Sequence, residues 1–145
     1  MTRKHCNRRP VTPMPPRGLR PMLDSQQQRD LDLVHHVNLD AIRCGDADEA
    51  TLWQVVGGVL TWLYVAMRLQ RGMAEMDAQM ALVTRLVEHY RDAGRIEFIG
   101  SDYELAKTDV LVMSALAAAV DQPTAIAAAT WSEMRVERMS EGCHV

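Results

Sequence analysis

The chain has 145 residues, with 16 Lys+Arg against 19 Asp+Glu, 48% apolar side chains and 24% charged ones. That balance suits one globular domain with a real core, and it excludes a fibrous repeat, a wholly disordered chain and a disulfide scaffold. The net charge of -3 hides an uneven distribution: residues 1–23 carry six basic side chains and no acid, and the remainder carries ten basic and nineteen acidic ones, a net charge of -9.

Residues 1–23 hold Arg3, Lys4, Arg8, Arg9, Arg17 and Arg20, together with five of the six prolines: Pro10, Pro13, Pro15, Pro16 and Pro21. Proline removes backbone donors and pushes the residue before it towards extended conformations. This stretch is expected to be an extended or disordered Pro/Arg-rich arm.

Helical periodicity begins at Ser25, where Ser25 and Gln28 have the spacing of a capping box. Leu31, Val34, Asn38 and Ile42 form the predicted inner face, with Leu33 and Val37 beside it. Gly45 ends this first helix. Asp46 and Glu49 repeat the capping pattern, and the second helix is predicted over 47–69. It is apolar nearly all round, through Leu52, Trp53, Val55, Val56, Val59, Leu60, Trp62, Leu63 and Val65, which predicts a central position. Gly57-Gly58 costs this helix about 1 kcal/mol per glycine relative to alanine, so close approach by another helix, or a kink, is expected there. Eighteen uncharged residues separate Glu49 from Arg68. That window is at the short edge for a membrane span, and the expectation is a buried core helix with no membrane contact.

After Gly72, a third helix shows a narrow seam: Met73, Met76, Met80, Val83, Val87 and Tyr90, alternately three and four residues apart. Leu82, Leu86 and His89 widen it. Asp92-Ala93-Gly94 closes the helix. Ile96, Phe98 and Ile99 are too few for an independent sheet, so a loop with Phe98 plugging the core is expected. Ser101 and Glu104 suggest a third capping box, opening a fourth helix that runs to about Val120 through Leu105, Leu111, Met113 and Leu116. Asp121-Gln122-Pro123 makes a turn, and Pro123 suits the first position of a fifth, alanine-rich helix over 124–139 that carries Trp131 and Met134. The expected fold class is therefore all-α: a compact bundle of about five helices over 24–140, the basic arm over 1–23, and a frayed C-terminus over 141–145.

Few residues suggest chemistry. Cys6, Cys44 and Cys143 form no disulfide framework, and no apolar run follows the basic N-terminus, so a reducing, cytoplasmic location is expected. His35 and His36 are adjacent and diverge by about 100° on a helix, so they do not chelate from one face. His5-Cys6 and Cys143-His144 would form a metal site only if the termini met. Ser101, Ser114, Ser132 and Cys44 have no local signature of an activated nucleophile. No glycine-rich phosphate loop is present. No catalytic residue, metal or cofactor is expected, and the chain reads as a non-enzyme. A helix-turn-helix over Leu116–Ala128 fits poorly, because Thr124, Ala125, Ile126, Ala127 and Ala128 offer base edges one hydroxyl.

Two features point to partners. The basic arm suits an acidic protein surface, phosphates or the chain's own acidic body; it has no aromatic residue to stack on bases, and the acidic body would repel a duplex. The seam of Met73, Met76, Met80, Val83 and Val87 is a candidate helical interface, for a homodimer or for a partner groove, because methionine is common at adaptable surfaces. The segments from Arg8-Arg9-Pro10 to Pro15-Pro16-Arg17-Gly18-Leu19-Arg20-Pro21, and Asn38-Leu39-Asp40-Ala41-Ile42, resemble small all-helical proteins of unknown function from proteobacteria and their mobile elements. That resemblance implies an accessory regulator or an inhibitor of a host complex, and it supplies no site residue. The functional expectation is a non-enzymatic protein-interaction module that docks its partner through the acidic helical body and the basic arm. The alternative is a nucleic-acid-associated regulator with the arm on phosphates.

Overall fold

The structure, a computed structural model, describes residues 21–142. Arg3, Lys4, Arg8, Arg9, Arg17 and Arg20 of the arm lie outside the described residues, as do Cys143 and His144. The described chain is all-helical: α1 (Ser25–Cys44), α2 (Glu49–Leu69), α3 (Met73–Ala93), α4 (Asp102–Thr108), α5 (Val110–Ala119) and α6 (Gln122–Glu141). The predicted fourth helix is two, α4 and α5, which abut at Asp109.

The caps show why the helices start where they do. Asp24, one residue before the expected Ser25, opens α1. Its carboxylate accepts from the Gln27 backbone N–H at 2.8 Å, and its own N–H donates to Gln27 Oε1 at 2.9 Å. The second cap is likewise Asp48 and not Asp46. Asp48 Oδ1 accepts from both the N–H and the hydroxyl of Thr51, at 2.9 Å each. Those bonds, the backbone one above all, hold the Asp48 carboxyl below the usual range. Ser101 stands at the N-cap of α4 and makes no side-chain cap bond, so the third predicted capping box does not form. Asp121 caps α6 by accepting from Thr124 N at 2.7 Å. Pro123 is the second residue of α6, where a missing N–H leaves no intrahelical bond unmade.

α2 is the axis of the domain, and α1, α3, α5 and α6 all pack on it. Leu52, Val55, Val56, Val59, Val65 and Ala66 are 1% exposed or less. Each large side chain buried in this way contributes about 1.5–3 kcal/mol. By length and composition α2 is apolar enough to cross a membrane. Its two central glycines are the contact points for two neighbours. A Cβ on Gly57 would stand 3.5 Å from Val136 Cγ2 of α6, and one on Gly58 would stand 3.8 Å from His35 Nδ1 of α1. No kink is needed to explain them. The pairs Gly57–Val136, Thr61–Ser132 and Tyr64–Trp131 descend along α6 as they ascend along α2, so the two helices are antiparallel. Thr61 and Ser132 share a hydroxyl contact of 2.8 Å inside this interface, and Ala128 is fully buried in it.

The predicted methionine seam of α3 faces inward. Met76, Val83 and Val87 are at most 2% exposed and belong to the core; Met80 packs at its edge, and Met73 alone is exposed. The seam is occupied by packing within the chain, so it is not a free interface. Phe98 and Ile96 pack against the core as a loop, with Phe98 5.7 Å from the Tyr103 ring.

Gln79 is a polar member of the core that the hydrophobic pattern does not single out. It is 1% exposed, and its Nε2 donates to Asp109 Oδ2 at 2.8 Å and to the Leu105 carbonyl at 3.3 Å. This one amide ties α3 to the break between α4 and α5. Gln79→Leu is expected to lower unfolding stability by about 1–3 kcal/mol in urea titration, because it leaves the Asp109 carboxylate without its internal donor. The turn before α3 is tight as well. Gly72 has φ +64°, and a Cβ there would lie 2.8 Å from Val112 Cγ1. Gly72→Ala adds a left-handed alanine to a steric collision and is expected to cost about 1–3 kcal/mol by the same assay.

Candidate interaction surfaces

α1 is built inside out. Gln28, Asp32, His35, Leu39 and Ile42, spaced by four and three residues, form its inner stripe, and the first three are polar. Leu31, Leu33, Val34 and Val37 are 42%, 62%, 55% and 56% exposed. The predicted inner face held for Asn38 and Ile42, which are buried, and failed for Leu31 and Val34, which face solvent.

The groove that receives α1 explains the reversal. α2 presents Gly58 there, which leaves room for an imidazole. α5 presents Ser114, whose hydroxyl donates to Asp32 Oδ1 at 2.8 Å. Gln28 Nε2 donates to the Leu23 carbonyl at 3.0 Å. On the α4 side, the Tyr103 hydroxyl donates to Asp40 Oδ1 at 3.1 Å, and the Arg43 guanidinium stands 5.4 Å over the Tyr103 ring. Polar side chains therefore find partners inward, and turning the apolar set inward would strand them.

His35 is the exception within this network. Its Nε2 is enclosed and has no hydrogen-bond partner among the described residues. Burial, reinforced by the neighbouring His36 and partly opposed by Asp32, pushes the His35 pKa down to about 4. His36 faces solvent. The pair is thus divided between core and surface, and among the described residues no group of three His, Cys, Asp or Glu could hold a metal ion.

Two open clefts flank the C-terminal end of α3. One, of about 550 Å³, is lined by residues that include Arg43, Cys44, Tyr90, Arg95 and Glu97. The other, of about 450 Å³, includes Arg85, His89 and Asp102. Several of their charged groups are already engaged. Arg85 grips Asp102 with two bonds of 3.1 and 2.9 Å, and His89 Nε2 lies 2.8 Å from Glu97 Oε1. The His89 contact, then the Arg95 charge, holds the Glu97 carboxyl below its ordinary range. These pairs close the loop between α3 and α4 on itself. The apolar face of α1, whose residues are left exposed by the described residues, is the stronger candidate for function.

No protein family, curated protein or solved structure matches this chain.

The buried His35 gives stability a defined pH dependence. In the unfolded chain a histidine takes up its proton near pH 6.5, and in the fold His35 does so only near pH 4. Between those values the unfolded state binds the extra proton, so stability falls as pH drops from 6.5 towards 4 and this contribution then levels off. The loss is expected to be about 3 kcal/mol and absent in His35→Leu. Urea denaturation of both proteins at a series of pH values across that window checks it; parallel losses in the two would remove His35 as the source.

Proposed function

We propose that the chain is a non-enzymatic protein-interaction module, an accessory regulator or inhibitor, whose partner lays a helix along the outer face of α1. The observation that carries this reading is the reversed amphipathicity of α1. Leu31, Leu33, Val34 and Val37 occupy adjoining turns on the solvent side, a stripe with the shape and spacing of a helix-binding seam. A soluble domain gains nothing by exposing four branched side chains together unless something covers them.

The chain's charge supports the same reading. The described body carries ten basic and nineteen acidic side chains, and six basic residues precede it in the sequence. Pro21 and Met22 lie against the start of α6: Gln122 N donates to the Pro21 carbonyl at 2.7 Å, and Gln122 Nε2 to the Met22 carbonyl at 3.1 Å. A partner on α1 therefore sits close to where the basic segment joins the body. The apolar stripe supplies contact area, and the basic segment supplies attraction to acidic groups on the same partner.

The test starts from proteins captured by the full chain, identified by mass spectrometry, purified and titrated calorimetrically. Leu33→Glu/Val37→Glu is expected to weaken the complex by about 100-fold while leaving the melting temperature within a few degrees. Replacing Arg3, Lys4, Arg8, Arg9, Arg17 and Arg20 by Gln is expected to weaken it less, with a loss that shrinks as salt rises. A partner that binds the Glu variant as tightly as the wild type rules out the α1 face.

A further inference from the structure

A second surface, away from the outer face of α1, joins α2 to α6. Arg68 stands over the Tyr64 ring at 5.6 Å, Tyr64 meets the Trp131 ring at 5.4 Å with a 46° tilt, and Arg135 stands over Trp131 at 4.4 Å. The four form a continuous Arg–Tyr–Trp–Arg row across the helix interface. Each arginine sits one turn from its ring on the same helix, and the rings make the crossing. Met67 and Met134, 56% and 55% exposed, each lie next to one of these arginines in sequence. Arg71 follows in the turn after α2 and Arg138 one turn further along α6, and both are exposed.

The electrostatics of this row differ from those of the rest of the body. Arg43, Arg85 and Arg95 each have a carboxylate within 4.0 Å. Arg68, Arg71, Arg135 and Arg138 have none among the described residues. Four of the ten basic side chains of an acidic body are thus without an ion-pair partner among the described residues, and two of them, Arg68 and Arg135, flank the Tyr64–Trp131 ring pair. A guanidinium laid on a ring keeps its N–H donors directed outward from its edge, and the ring restricts its motion, so little is lost when it grips a carboxylate with two bonds.

We infer that the Arg68–Tyr64–Trp131–Arg135 row is a docking site for an acidic linear segment of a partner protein. Glu or Asp side chains of that segment would bridge the guanidinium edges, and its apolar residues would lie on Met67 and Met134. Tryptophan, tyrosine, arginine and methionine are the residue types enriched at the centres of protein interfaces. A single-stranded nucleic acid fits less well. The arginines already lie on the rings where bases would stack, and the surrounding body is acidic. This surface extends the interaction reading but does not rest on the α1 face, and each has its own variants.

The test is fluorescence anisotropy of the full chain with three labelled probes at low salt. They are a short Glu-rich peptide containing two leucines, the same peptide with every Glu replaced by Gln, and an oligouridylate of equal length. The Glu peptide is expected to bind about tenfold or more tightly than the Gln peptide, and Arg68→Gln/Arg135→Gln to abolish that preference with no change in melting temperature. Arg29→Gln/Lys107→Gln, which changes the net charge equally at other exposed positions, is expected to keep affinity within about twofold. Four outcomes would overturn the inference: equal binding of the two peptides, no binding up to about 1 mM, equal losses in the two double variants, or binding of the oligouridylate in preference to the Glu peptide. Leu33→Glu/Val37→Glu is expected to bind the Glu peptide as the wild type does, so failure of one surface is distinguishable from failure of the other.

Discussion

The close approach of two helices to the middle of α2 is the constraint on which the rest of the fold depends. α6 comes within van der Waals reach of Gly57 and α1 within reach of Gly58, so one dipeptide sets the spacing of both flanks. A Cβ at either position would meet Val136 or His35 at van der Waals contact, 3.5 and 3.8 Å, and a longer side chain would have to displace them. The glycines weaken α2 as an isolated helix, and the packing that they permit offsets this, because helix stability in proteins comes mostly from tertiary contact. The Thr61–Ser132 hydroxyl pair and Ala128 extend the same intimate contact along α6.

The position of α1 follows from that spacing. A helix resting on Gly58 with Ser114 at its side meets a narrow and partly polar groove, and Asp32, His35 and Asn38 fill it better than bulky aliphatic residues would. The apolar residues are left outside by elimination. Natural sequences break the inward-apolar rule mainly where another task requires it, and α1 breaks it with an exposed apolar stripe and an enclosed imidazole that has no partner among the described residues. Orderly packing inside and exposed leucine and valine outside are thus two results of one groove.

Much of the architecture was legible in the sequence. The all-helical class, the central α2 and the divergence of His35 from His36 all follow from period and composition; the spacing of the α3 seam was legible too, but not that Met76, Val83 and Val87 are buried within the chain and leave no free interface. What was not legible depends on neighbours. Counting apolar residues turned α1 towards Leu31 and Val34, since periodicity cannot register that the receiving groove carries a glycine and a serine. The caps at Asp24 and Asp48 lie within one or two residues of Ser25 and Asp46, because several Asp and Ser residues there could fill the role and only backbone geometry selects among them. The break at Asp109 was hidden in a pattern that continues across it, and the Gln79 amide that serves the break comes from another helix. The pairing of Tyr64 with Trp131 joins residues 67 positions apart in the chain, and no local spacing reveals it.

The contact of Pro21 and Met22 with the start of α6 has a geometric consequence. It fixes the point at which residues 1–20 join the body, and twenty residues span at most about 70 Å even when fully drawn out. In the proposed complex, the six basic charges of that segment would act within that radius of one corner of the domain. Their encounter with an acidic site on the same partner would then be intramolecular, at an effective concentration set by chain length. Moving the anchor to another corner would keep every charge and change which sites on the partner they can reach.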